Sequence, residues 1–353
     1  MTSSESSNSS SSSFATNSME TNPFDFLDGS FFDETQAEMI DNYVENNDST
    51  SHLVRGGLKS FHLDSIASRN WKAVLSWITF HSDEVATLVD REGHSSLHHV
   101  CLFRAPLDVI KAMIYAAPQL AMYGNDEGEI PLHWAVRVTL PLQVITTLLE
   151  ANPMSGFVKD KNGVTPMMLL WDRHEEDWIH SFRSNGRESV VCSESWRRTM
   201  KLVEFFVDDS NIEKFPLHTI VQAPCESSFL NFALHLYSDE VNLLDECGNL
   251  PLHLACRSLI TFEMLEGVLR ANPLCASIPN AMGRLPLQIA VAAGKKWKEG
   301  VKLLFLANPT ALGHPDPTSH LYPFMEAAFE PRIPCITTIY ALLRASPEYV
   351  THS

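Results

Sequence analysis

Asp245-Glu-Cys-Gly-Asn-Leu-Pro-Leu-His-Leu-Ala-Cys256 is the stretch whose reading decides the fold. An Asp side chain can close a turn onto its own backbone, and a Gly three residues later supplies positive φ. A proline another three residues on suits the first position of a helix, where its missing N–H costs nothing. The residues after it are small or apolar, as a short packed helix needs. The same pattern recurs along the chain. Asp or Asn stands three residues before Gly at Asp90/Gly93, Asn125/Gly128, Asp160/Gly163, Asp245/Gly248 and Asn280/Gly283. Gly93, Gly128 and Gly163 are 35 residues apart, as are Gly248 and Gly283. Pro-Leu-His occurs at Pro131-Leu132-His133, Pro216-Leu217-His218 and Pro251-Leu252-His253. Variants stand at Ser96-Leu97-His98, Pro166-Met167-Met168, Pro286-Leu287-Gln288 and Pro323-Phe324-Met325.

A second helix follows each short one. Leu107, Ile110 and Ile114, then Leu142, Ile145 and Leu149, then Met264, Leu265 and Val268 keep helical apolar spacing. These helices stop at Ala117-Pro118, Ala151-Asn152-Pro153, Ala271-Asn272-Pro273, Ala307-Asn308-Pro309 and Ala345-Ser346-Pro347. The Asn is expected to take a left-handed C-terminal conformation, and the Pro forbids continuation. One turn–helix–loop–helix unit cannot bury its apolar face alone, so neighbours must stack. The stretch 245–256 resembles the ankyrin repeat signature, and the resemblance covers about residues 57–353. It implies an all-α helical repeat solenoid with short β-hairpin turns and a concave protein-binding face. The spacing of 35 exceeds the family's usual period of about 33. The family's Gly-His between helices is replaced, for example by Thr139-Leu140-Pro141. The unit after Val207 has Glu213 where the turn glycine belongs, and the last unit has no Asx-x-x-Gly.

Residues 55–89 read as an N-terminal capping unit, with helices at Leu58–Ala67 and Trp71–Phe80, and 90–353 as the repeats. Pro166 to Pro216 spans 50 residues instead of 35, with the excess near 182–193. Pro166 to Phe182 reads as an extended first helix. Trp196, Met200, Val203 and Phe206 share one face of a later helix, with Ser193 as its cap. The intervening Ser184-Asn-Gly-Arg-Glu-Ser189 has no periodic apolar face and is expected to loop out.

The net charge is −17. Residues 1–54 hold ten acidic residues and no Lys or Arg, which leaves −7 for the other 299. That pattern offers no basic footprint for nucleic acid. No apolar run is long enough to span a membrane. The first 20 residues are half serine and lack a basic or apolar signal region, which points to the cytoplasm or nucleus. Low complexity predicts a disordered tail over 1–54. Within it Asn22-Pro23-Phe24 resembles the tripeptide bound by endocytic EH domains. The acidic-aromatic run through Phe26, Leu27, Phe31 and Phe32 resembles a transcriptional activation region, while a merely solubilising tail is the leading reading of the segment. The seven cysteines are odd in number and form no Cys-x-x-Cys pair, so they read as reduced thiols rather than a zinc or disulfide set.

His98, His133, His218 and His253 occupy one repeat position each, about a repeat apart and too far to share a metal. The reading for them is a hydrogen bond fixing the turn, worth about 1 kcal/mol each. His174 and His180 lack the His-Glu-x-x-His spacing of a zinc helix. No catalytic set, cofactor motif or metal site is legible. The expected function is therefore a monomeric protein-binding adaptor. A transcriptional co-regulator using the tail is the alternative, and an enzyme has no residue set behind it. Partner contacts are expected at the turn tips, through Arg91, Glu92, Glu127, Lys161, Asn162, Glu246 and Arg284. They are also expected at the sixth and seventh residues after the proline position: Leu102 and Phe103, Arg137 and Val138, Asp172 and Arg173, Arg257 and Ser258.

Overall fold

The protein is described from a computed structural model, over residues 57–207, 214–329 and 335–345. The chain divides into two units, Met1–Val54 and Arg55–Ser353. Asn22, Pro23, Phe24, Phe26, Leu27, Phe31 and Phe32 lie outside the described residues.

The second unit is a two-layer stack of helix pairs. One layer is made of short helices that start at the repeated proline position: Ser96–Leu102, Pro131–Arg137, Pro251–Arg257, Pro286–Ala292 and Pro323–Phe329, each seven residues long. Ser96–Leu102 packs on Pro131–Arg137, and Pro251–Arg257, Pro286–Ala292 and Pro323–Phe329 pack in succession. The second layer holds Trp71–Phe80, Leu107–Ala116 and Leu142–Ala151 in one run and Ser227–Leu236 and Phe262–Ala271 in another. The repeated leucines Leu97, Leu132, Leu217, Leu252 and Leu287 are all buried between layers, as are Ala135, Ala255 and Ala290. Among the described residues the turns add no strand, only an isolated antiparallel bridge between Val89 and Ser95.

The turns form as their residues demand. Oδ1 of Asp245 accepts the backbone N–H groups of Cys247 (2.9 Å) and Asn249 (2.7 Å), and Gly248 sits at φ +71°. Adding a Cβ to Gly248 would place it 2.5 Å from Cβ of Ala281 on the next tip, so this glycine is required by contact as well as by φ. Asp90, Asn125, Asp160 and Asn280 close their turns through the same pair of bonds. A sixth turn appears where the Asx-x-x-Gly pattern is missing. Asp316 accepts from Thr318 N–H (2.8 Å), and His320 takes the left-handed conformation at φ +60°.

Two expectations need correction. The Asn before Pro is not left-handed: Asn152, Asn272 and Asn308 have φ of −152°, −153° and −142°. A residue preceding proline is pushed to extended backbone. There the carboxamides of Asn152 and Asn272 cap a following 3₁₀ turn, accepting from Met154 and Leu274 N–H at 3.0 Å. The stretch 182–193 also does not loop out. The helix Pro166–Asn185 runs on for 20 residues, breaks at Gly186 (φ +78°), and is followed by a helix at Arg187–Val191 and another at Glu194–Val207. Trp178 and Trp196 meet edge to face at 5.1 Å, and both are buried. Their indole N–H groups donate to Ser195 Oγ (3.0 Å) and to the Tyr237 hydroxyl oxygen (3.2 Å). Arg187 pairs with Asp239 (2.8 Å) and Glu240 (2.9 Å) and lies 4.3 Å over the Tyr237 ring. The extra residues thus build a local aromatic core that clamps the next unit.

Candidate functional site

The repeated histidines join units rather than bind a ligand. Nδ1 of His253 accepts the buried N–H of Leu250 (2.9 Å), and its Nε2 donates to the carbonyl of Ile278 in the next unit (3.0 Å). His133 does the same with Ile130 N–H (3.1 Å) and Val164 O (3.2 Å), and His98 with Ser95 N–H (3.1 Å) and Glu129 O (2.9 Å). His218 Nε2 reaches Leu243 O and Asn249 O. Gln288 reproduces the arrangement with its amide: Oε1 accepts from Leu285 N–H (2.8 Å) and Nε2 donates to His314 O (2.9 Å). Burial lowers His98 to about 3 and His253 to about 4 against the ordinary 6.5, with His133 shifted the same way. The rings are neutral, with the proton on Nε2, as an acceptor–donor bridge requires. The inter-unit acceptor, 25 to 31 residues downstream, was not visible in the motif.

The expected contact residues divide into three groups. Arg91, Glu92, Glu127, Lys161, Asn162 and Glu246 are exposed at the tips, with Glu246 paired to Lys214 at 2.6 Å. Arg284 is instead turned onto buried Asp316 (2.7 Å), so it ties the fifth tip to the sixth. At the ends of the short helices, Leu102, Phe103 and Val138 are 2%, 4% and 2% exposed. They are corrected from contact to core residues. The helix ends at the sixth residue after the proline position, and the seventh turns under the stack as the C-cap. Arg137 is half-buried and ion-paired to Glu129, and Arg173 donates to Arg137 O (2.8 Å) and Thr139 Oγ1 (3.1 Å). Asp172 and Arg257 are exposed, and Ser258 is half-buried with its hydroxyl on Leu254 O.

The structure brings Glu246, Arg257 and Arg284 together. They line one groove of about 510 Å³, with Met282 and Leu254 as apolar floor and rim. Met282 is 61% exposed at its tip. Tip and short-helix residues therefore converge on one surface, carrying both charge signs and an uncovered thioether.

The other candidates carry no chemistry of their own. The His174 ring lies tilted against Trp178 at 5.6 Å and, among the described residues, shares no ligand cluster with His180. Burial pushes the Cys101 and Cys256 thiols up to about 12, so neither is a nucleophile near neutral pH. One cluster was missed. Asp90, His94 and His99 meet at the first tip, with Oδ2 of Asp90 2.9 Å from His94 Nδ1 and 3.3 Å from His99 Nε2. Burial alone would raise the Asp90 carboxyl, but the hydrogen bonds from His94 and His99 outweigh it and hold it well below the usual carboxylate range. Asp90 and His94 four residues apart on a tight turn were the available signal. His99 joins them only because the following helix folds back beside the turn.

The helix-pair stack, with its proline-started short helices and Asx-glycine tips, is an all-α ankyrin-type solenoid. No family model matches the sequence, and no curated protein matches it. Solved structures similar to it include the ankyrin repeat domain of Bcl-3, a unique member of the IkappaB protein family. That domain is 17% identical, with a TM-score of 0.33, over 69% of this chain and 96% of that one. The human ASB11 ankyrin repeat domain is also 17% identical, with a TM-score of 0.30, over 70% and 97%. At these scores the fold rests on the repeat geometry itself. No helix among the described residues is long and apolar enough to cross a membrane.

Proposed function

We propose that this chain is a non-enzymatic adaptor, a monomer of the cytoplasm or nucleus that binds a partner protein along its tips and short helices. The observation that carries this reading is the groove where Glu246, Arg257 and Arg284 converge around exposed Met282. An exposed apolar anchor ringed by charged and amide groups is the anatomy of a protein-binding patch. The exposed tip residues Arg91, Glu127, Lys161 and Asn162 extend the same edge toward the first units. Arg257 is the best probe, because it is exposed and its guanidinium makes a 3.3 Å bond to Gln222 at the groove.

The experiment is crosslinking capture from cell extract with the full chain, followed by titration of the purified partner against Arg257→Glu and Met282→Asp. Both variants are expected to melt like the parent and to weaken the partner by about tenfold or more, the scale of a central contact. If both bind the partner as the parent does, the partner uses another surface and the proposal fails.

A further inference from the structure

The Asp90 tip differs from the four other Asx-glycine tips in what it carries, although its backbone is the same. At the position after the turn glycine stand His94, Glu129, Val164, Asn249 and Arg284. Nine residues after the Asx stand His99, Trp134, Leu169, Leu254 and Ile289. Two imidazoles thus meet a carboxylate at the first tip alone among these five. The turn itself needs neither ring, since Oδ1 of Asp90 already accepts Glu92 N–H (3.0 Å) and His94 N–H (2.8 Å) as in the other tips.

We propose that Asp90, Glu92, His94 and His99 form a binding site for one divalent transition-metal ion of zinc type. The ligand atoms Asp90 Oδ2, His94 Nδ1 and His99 Nε2 lie within 4.8 Å of one another. Two of the separations are 2.9 and 3.3 Å. In a tetrahedral zinc site with bonds of about 2.0–2.1 Å, adjacent ligand atoms are about 3.3 Å apart, and both Asp90–histidine separations are already within a few tenths of an ångström of that. Glu92 Oε2 stands 3.7 Å from His94 Nδ1 but outside the cluster of the other three ligand atoms, so its exposed side chain swings inward to supply the fourth ligand. Two imidazoles with two carboxylates select a borderline ion over calcium or magnesium, which take oxygen sets.

The surroundings match a prepared site. The side chains of Asp90, His94 and His99 are 5%, 8% and 0% exposed, whereas Glu92 is 58% exposed and opens the way in. The two amide bonds to Oδ1 fix the Asp90 carboxylate with Oδ2 turned to the histidines, an outer-shell arrangement that orients a ligand. The His94 ring is held against Trp134 at 4.7 Å. With Glu92 swung in, four protein ligands close the site, and the ion ties the first tip to the helix Ser96–Leu102 through His99.

The test uses the full chain, stripped with a chelator and titrated with Co²⁺ and Zn²⁺ alone. One equivalent is expected, with the visible absorption of tetrahedral Co²⁺, bleached by Zn²⁺. Because the chain has 15 histidines, His180→Gln serves as a control expected to bind unchanged. His94→Gln is expected to weaken zinc by more than about a hundredfold, beyond the roughly 10–100-fold that loss of an outer-shell partner costs, and the exposed Glu92→Gln to weaken it by about tenfold. If His94→Gln does not fold, the decision passes to Glu92→Gln and to the imidazole NMR resonances of the parent. Zinc must shift the His94 and His99 rings and leave His180 in place. Absence of stoichiometric binding, an octahedral Co²⁺ spectrum, unmoved His94 and His99 rings, or affinity that survives Glu92→Gln or His94→Gln overturns the site.

Discussion

The unit that starts at Asp245 and the unit that starts at Asp160 open alike and then part. Both close an Asx turn on a left-handed glycine and begin a helix at proline. In the first, the helix stops after seven residues, and His253 bridges to Ile278 of the next unit. In the second, the histidine position holds Met168, the helix runs for 20 residues, and the link onward is made by Trp196–Tyr237 and Arg187–Asp239/Glu240. Successive units can thus be joined by a polar bridge at a fixed motif position or by an aromatic and ionic clamp assembled from distant residues. The polar bridge costs no extra chain. The clamp needs about 15 additional residues, Pro166 to Pro216 against the usual 35.

The largest effect is expected from breaking the clamp. Trp196 is 1% exposed and donates to Tyr237. Trp196→Ala should cost about 3–5 kcal/mol, the range for truncating a buried aromatic. A surface insertion would lose almost nothing, so a urea melt shifted by less than about 1 kcal/mol would return 182–193 to the status of a decorative segment.

The polar bridge is weaker and can be imitated. Gln288 shows that an amide fills the same role. His253→Gln is expected to stay within about 1 kcal/mol of the parent, whereas His253→Leu should cost about 1–3 kcal/mol by stranding the Leu250 N–H and the Ile278 carbonyl. Equal losses for both variants would mean that ring packing, not the bridge, is what the position supplies.

The two kinds of joint should also respond differently to acid. Burial lowers His253 to about 4 from the ordinary 6.5, against the raising effect of its bond to Ile278. A depressed folded-state value means that the neutral ring's contribution is fully present above 6.5 and is lost as pH falls toward about 4. Melts at about pH 7.5 and about pH 5 should therefore show His253→Gln gaining on the parent at the lower pH. Trp196→Ala should leave the parent's acid slope unchanged. An unchanged gap between parent and His253→Gln would show that His253 does not titrate differently in the folded state.

The parts of the fold that were legible are those whose causes lie within a few residues. Asp245, Gly248 and Pro251 build a turn and a helix start with no help from elsewhere, and the Asx–Gly pair can be read five times, four of them with the proline. The Asn152-Pro153 stop is visible in the sequence, but its extended conformation follows from the steric push of the following proline, which overrides the preference of Asn for left-handed backbone. The helix through 182–185 was hidden because what holds it is far away: Trp178 meets Trp196, and Arg187 reaches Asp239 52 residues on. The contact surface was half visible. Periodicity placed Arg257 outside, yet it could not tell that Phe103 and Val138 tuck under the stack, since that depends on the helix ending one residue earlier. His99 escaped for the same reason, being a neighbour of Asp90 only after the chain turns back.

The smallest effect concerns what makes a first helix stop. Eight residues after the proline position, Thr139 has φ +56°, while His174 at the matching place continues its helix. Pro141 explains the stop, because it pushes Leu140 out of helical backbone and leaves Thr139 to reverse the chain. A β-branched residue in that conformation is strained, and Thr139 offsets part of the strain by accepting from Arg173 Nη1 at 3.1 Å. Thr139→Gly and Thr139→Ala both remove the hydroxyl, so the difference between them isolates the backbone. Glycine is more flexible when unfolded but has no penalty at positive φ, and at such sites Ala is the worse choice by about 1 kcal/mol. Thr139→Gly is expected to melt above Thr139→Ala by that amount, and above the parent only if the Arg173 bond is worth less than the strain. A Thr139→Ala variant as stable as Thr139→Gly would show that residue 139 is not held left-handed, and the explanation of why the two units part at this position would fall with it.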